Sequence, residues 1–106
     1  MRNWNYIFIR YCDGFSFAGN VKKPQIAQFT NKTTKKVSNV TVWMRGRAIL
    51  DAVIEDLLTV RGMGTATHAV IGGCSAGGMA VYLNCDRWEQ QHKRRLPRQR
   101  GVVSAD

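Results

Sequence analysis

Gly73-Cys74-Ser75-Ala76-Gly77 reads G-x-S-x-G. That spacing suits a serine nucleophile on a sharp strand-to-helix turn. Small flanking residues let strand and helix approach closely, and the hydroxyl projects out of the turn. The N–H of the next residue, Ala76, faces the place where an oxyanion would form. The start of the following helix adds a partial positive charge. The chemistry expected of such a group is acyl transfer. The same residues also fit a glycine-rich turn that binds phosphate or nothing. The apolar run Ala69-Val70-Ile71 before the motif and a helical pattern after it favour the nucleophile. A dinucleotide fingerprint is disfavoured, because Ser75 stands where G-x-G-x-x-G needs its second glycine.

A serine hydroxyl needs a base within hydrogen-bond reach and a carboxylate to orient that base. The chain offers two histidines, His68 and His92. His68 lies at the start of the apolar run and reads as a polar strand-start residue. His92 is 17 residues beyond Ser75, about 25 Å along a continuous helix. Asp86 is about 16 Å away by the same rule. The triad is therefore not expected to close among these residues.

The elements that must position Ser75 follow from periodicity. Residues 5–12, NYIFIRYC, alternate as a strand, with Tyr6, Phe8 and Arg10 on one face and Ile7, Ile9 and Tyr11 on the other. Asp13-Gly14 ends it. Residues 14–41 read as an irregular polar loop with short extended pieces around 26–29 and 40–43. Residues 45–60 read as an amphipathic helix through Ile49, Val53, Leu57 and Val60, with Leu50, Ile54 and Leu58 beside them and Asp51, Glu55 and Asp56 outward. Gly62 and Gly64 stop it. Residues 67–73 read as a short buried strand and 76–92 as a helix, with Met79, Leu83 and Trp88 inward. The tail from Lys93 reads as loop. Strand, loop, helix, strand, sharp turn and helix make an α/β order, of which two strands cannot complete a doubly wound sheet. The layout suggests part of a larger domain.

The bulk properties set the class. The chain has 106 residues, enough for one small domain, and 44% of them are apolar. The formal charge is +9, from 16 basic and 7 acidic residues. Such a balance attracts polyanions, yet neither basic group, residues 22–36 nor 93–100, carries aromatics at base-stacking spacing. No specific nucleic-acid partner is expected, and two solvated basic segments are the plainer reading. Cys12, Cys74 and Cys85 match no zinc spacing, so neither a metal nor a cofactor is implied. No signal peptide and no membrane-spanning stretch is expected. Asn31-Lys-Thr and Asn39-Val-Thr are glycosylation sequons.

Three blocks in order, WNYIFIRYCDGFSFAG, RGRAILDAVIEDLL and HAVIGGCSAGGMAVYLNCD, resemble the pectinacetylesterase/Notum family of serine carboxylesterases. The resemblance covers about residues 3–88 of a partial domain spanning 1–106, with 89–106 as a basic tail. It implies a fragment of an α/β-hydrolase-like fold and hydrolysis of O-acyl esters, with Ser75 as nucleophile and the Ala76 N–H in the oxyanion hole. The implied substrates are acetylated pectin-type polysaccharide or an acylated protein, and the implied location is secreted, cell-wall or vacuolar. The family's Gly-Gly-Gly-Trp oxyanion segment is not found here, and its catalytic Asp and His are expected beyond the chain's last residue. Asn84 stands where the family has His before Cys-Asp, Cys85 is left without its family partner, and residues 20–39 read as an insertion. The rival expectations are an inactive truncated remnant or a basic polyanion-binding module.

Overall fold

The computed structural model describes residues 2–95. Its elements are strands β1 (Gln25–Thr30) and β2 (Val37–Val42), helix α1 (Gly46–Thr59), a single 3₁₀ turn at Met63–Thr65, and helix α2 (Ala76–Arg95). The chain is a small α/β structure with one antiparallel strand pair and two helices.

Helix α1 forms where expected, but its buried stripe is Leu50, Ile54, Leu57 and Leu58, while Val60 is exposed. This row follows the 3.6-residue period. Helix α2 turns Ala80, Val81, Asn84 and Trp88 inward; Trp88 is buried as expected, but Met79 and Leu83 are exposed. The helix runs on to Arg95, three residues past its expected end at His92 and into the tail read as loop from Lys93. The rest of that tail lies outside the described residues. The core is Phe17, Leu50, Ile54, Leu57, Leu58, Ala80 and Trp88, with Ile9, Val53, Met63 and Ile71 packed at its margin.

The two helices are also joined by charge. Arg87 on α2 donates Nε to Asp51 Oδ1 at 2.5 Å and Nη2 to Oδ2 at 2.6 Å, a fork on a carboxylate. Gln91 Nε2 adds a third hydrogen bond to the same group at 2.7 Å. The Arg87 hydrogen bond holds the Asp51 carboxyl below its ordinary pKa of 3.8.

The strands are not where periodicity placed them. Among the described residues neither 5–12 nor 67–73 forms a ladder, Ile71 is a single bridge residue, and 67–73 is exposed or half-buried rather than buried. The inward face expected at 5–12 is not buried: Ile7 and Tyr11 are exposed with Tyr6 and Phe8, and Ile9 alone packs on the core. A strand also needs a neighbouring backbone to pair with. The hairpin β1–β2 occupies the segment read as a polar loop with short extended pieces; the piece at 26–29 falls within β1 and the piece at 40–43 overlaps the end of β2. Its register runs from Gln25 opposite Val42 to Thr30 opposite Val37. All of β1 and five residues of β2 are exposed. The order strand, loop, helix, strand, turn, helix is thus corrected to hairpin, helix, 3₁₀ turn, helix.

Candidate active site

The residues before α2 make a tight reversal. Ser75 has φ +53°, in the left-handed region that a residue with a Cβ rarely enters. Such a conformation costs about 1–3 kcal/mol and persists where surrounding structure enforces it. Here two hydrogen bonds lock it: Gly77 N–H donates to Cys74 O at 2.8 Å, and Met79 N–H to Ser75 O at 3.1 Å. The extended chain before the serine passes close to the helix start. A Cβ on Gly73 would overlap the Gly77 carbonyl and lie 2.8 Å from the Gly78 nitrogen. A Cβ on Gly78 would stand 3.1 Å from the Gly73 oxygen. These contacts explain why small residues stand on both sides of Ser75.

The serine is exposed and borders a cavity of about 900 Å³, shared with Ile9, Leu57, His68, Ile71 and Trp88. Its walls are mostly apolar side chains from the helices and the extended segments. The N–H of Ala76, at the first helical position, has no acceptor inside the helix. It is free to meet a negative oxygen, aided by the helix dipole.

The structure separates the remaining candidates. His68 is exposed, and its Nδ1 lies 3.1 Å from Thr67 Oγ1. It lines the same cavity as Ser75, but no hydrogen bond joins them among the described residues. Helix α2 is continuous through His92, which keeps that ring about 25 Å along the axis from the serine. Asp86 is exposed on the same helix and accepts a weak contact from Cys85 Sγ at 3.8 Å. All three cysteines are free, with Cys12 and Cys74 exposed. Among the described residues no cluster of three His, Cys, Asp or Glu could hold a metal.

After Asp13-Gly14, both Ser16 (φ +53°) and Phe17 (φ +55°) are left-handed. Three side chains hold this turn. Tyr11 Oη accepts from Ser16 N–H at 2.8 Å. Asp13 Oδ2 accepts from Phe17 N–H at 2.8 Å. Asn84 Nδ2, buried on α2, donates to Ser16 O at 3.0 Å and to Ala80 O at 2.8 Å. Gly46 completes the fit, since a Cβ there would overlap the Asp13 carboxylate. The available signal was the spacing Ala80, Asn84, Trp88: an amide at i and i+4 from buried neighbours is an inward polar group that needs a partner.

A small α/β chain with a serine held left-handed between a glycine contact and a helix start has the local form of a nucleophile turn. Comparison with known proteins gives the class more directly. The sequence model described as "PAE: Pectinacetylesterase" matches residues 1–103. The chain is 44% identical over 84 residues to pectin acetylesterase 5 of Arabidopsis thaliana, covering 79% of this chain and 17% of that protein. It is 40% identical over 87 residues to pectin acetylesterase 11 of the same plant, covering 82% and 19%. It is 34% identical over 85 residues to the palmitoleoyl-protein carboxylesterase notum2 of Xenopus laevis, covering 80% and 14%. No solved structure matches. The chain belongs to the pectinacetylesterase family of carboxylic-ester hydrolases, and it spans less than a fifth of the length of these relatives.

Proposed function

We propose that Ser75 is the nucleophile of an O-acyl ester hydrolase, acting within a domain of the relatives' full length and α/β-hydrolase-like fold. The left-handed serine between Gly73 and the start of α2 carries this reading. Ser75 Oγ attacks the acyl carbon and gives its proton to a base. The carbonyl oxygen becomes an oxyanion that accepts a hydrogen bond from Ala76 N–H. The bond to the alcohol oxygen then breaks, and the alcohol leaves with the proton. Water hydrolyses the resulting acyl-serine by the same steps in reverse order. The base and its orienting carboxylate come from chain beyond these residues, because neither His68 nor His92 is hydrogen-bonded to Ser75. The substrates this reading favours are acetyl esters of pectin-type polysaccharide, after the plant relatives, or an acylated protein, after the notum relative. The same resemblance favours a secreted, cell-wall or vacuolar protein. A tagged protein found in the cytosol would contradict that placement.

The test is p-nitrophenyl acetate turnover by a protein of the relatives' length that carries these residues. Ser75→Ala is expected to remove turnover, and undiminished turnover would overturn the assignment. The serine hydroxyl, without a hydrogen-bond partner among the described residues, also favours a second reading, in which the 106-residue chain alone is catalytically silent. Ester hydrolysis by that chain, dependent on Ser75, would refute the silent form.

A further inference from the structure

Between Asp13 and Asp51 the sequence contains no Asp or Glu, yet it holds Lys22, Lys23, Lys32, Lys35, Lys36, Arg45 and Arg47. The two bounding carboxylates are already engaged, Asp13 by Phe17 N–H and Asp51 by Arg87 and Gln91. The ion pairs among the described residues use Arg61, Arg87 and Lys93, and none of the five lysines. The hairpin therefore carries cations with no counter-charge of its own.

Its geometry spreads them along an arm. Lys22 and Lys23 precede β1 at the foot, where Val21 N–H donates to Met44 O at 2.8 Å. Lys32, Lys35 and Lys36 sit in the connection at the other end, about 20 Å away at the rise of a strand. That connection is ordered by its own bonds. Asn31 Oδ1 accepts from Thr33 N–H at 2.9 Å and Thr34 N–H at 3.0 Å. Asn31 N–H donates to Lys36 O at 2.9 Å and Lys35 N–H to Asn31 O at 2.8 Å. Lys35 is left-handed at φ +57°, a place where glycine or asparagine is the less strained choice. A cation stands there although the backbone does not favour it. The register puts Gln28 opposite Asn39, and Thr30 and Thr41 share that same face. These side chains are exposed amides and hydroxyls.

We propose that the β1–β2 hairpin is a binding arm for a carboxylated polysaccharide. The choice of anion follows from the residue types. Every cation of the hairpin and its foot is a lysine, a point charge suited to scattered carboxylates. The arginine forks that favour phosphate are absent from residues 14–44. Gln28, Thr30 and Thr41 supply donors and acceptors matched to sugar hydroxyls, on a face that also presents the exposed apolar side chains Ile26 and Val37. A two-stranded ribbon exposed on both faces contributes little packing to the fold, which leaves its surface free for a ligand. This inference rests on the hairpin's charge and exposure and stands apart from the role of Ser75.

The test is retention of the intact protein on immobilised polygalacturonate across a salt series, with neutral galactan and single-stranded DNA as comparators. Polygalacturonate is expected to retain it, galactan not, and DNA more weakly at equal salt. The triple substitution Lys32→Gln, Lys35→Gln and Lys36→Gln is expected to weaken retention at least tenfold. It should also shallow the salt dependence by about two to three charges. Turnover of p-nitrophenyl acetate should be unchanged in that variant. A reading on unmodified protein covers the case of a misfolded variant: bound polygalacturonate should shield Lys32, Lys35 and Lys36 from reductive methylation, and Lys93 not. Equal retention of the triple variant, stronger retention by DNA, or unshielded lysines would each overturn the proposal.

Discussion

The helical pair and the hairpin are built on opposite rules. In α1 and α2 each inward position is set by a neighbour: Ile54 is fully buried, Trp88 closes the core, and Asn84 spends its amide on Ser16 and Ala80. In the hairpin nearly every side chain meets water, and what distinguishes the sequence is charge. Residues in the first region are fixed by packing and tolerate little change. Residues in the second are free of packing and open to selection for binding. Ser75 stands with the first group: its backbone is held left-handed by the same kind of close contact, while its hydroxyl faces solvent.

The contrast is sharpest for buried against exposed isoleucine. Ile54→Ala should cost about 3 kcal/mol of stability, through lost burial and a cavity. Ile26→Ala, on an exposed strand, should cost less than about 0.5 kcal/mol. Urea midpoints of the two variants would separate them, and equal shifts would erase the distinction drawn between the regions. Next in size, Gly73→Ala should cost about 2 kcal/mol, because its methyl has no room against the Gly77 carbonyl. In the full-length protein the same change should lower ester turnover while leaving the helical signal of α1 intact. Asn84→Ala should cost about 1–2 kcal/mol by leaving the Ser16 carbonyl unpaired. A loss no larger than that of Ile26→Ala would argue that this bond holds nothing.

The smallest effect concerns pH. Arg87 lowers the folded-state pKa of Asp51 below 3.8, so folding favours the ionised carboxylate. That stabilisation is fully present above pH 4 and is lost as pH falls through the depressed folded value. Since both partners keep about a third of their side-chain surface in solvent, the contribution is under about 1 kcal/mol. Asp51→Asn should flatten this component of the stability profile below about pH 4. An unchanged profile would assign the acid sensitivity to other carboxylates.

What could be read from the residues was whatever is local. The G-x-S-x-G turn needs only its own glycines and the helix start, so the sharp reversal at Ser75 and the helix from Ala76 were legible in the sequence. The helices were legible because burial along them repeats at 3.6 residues, although the phase of the stripe depends on which neighbour each face meets. Ile49 and Val60 lost to Leu50 and Leu58 on that ground. The hairpin was legible only as short extended pieces, because its strands bury neither face and VSNVTV shows no strong alternation of apolar and polar residues. At 5–12 the opposite error arose: alternation was present, but no described backbone lies alongside to form a ladder. The left-handed pair Ser16-Phe17 left no local signal, only the inward spacing of Asn84, which lies 68 positions from Ser16 and helps to hold it.

The central claim is that Ser75 is an acyl-accepting nucleophile. The most direct measurement is peptide mass spectrometry after treating the full-length protein with a fluorophosphonate, which traps an activated serine as its phosphonate ester. The account predicts a single adduct on the peptide containing Ser75, lost in Ser75→Ala. An adduct on another serine, with Ser75 unmodified, would contradict it.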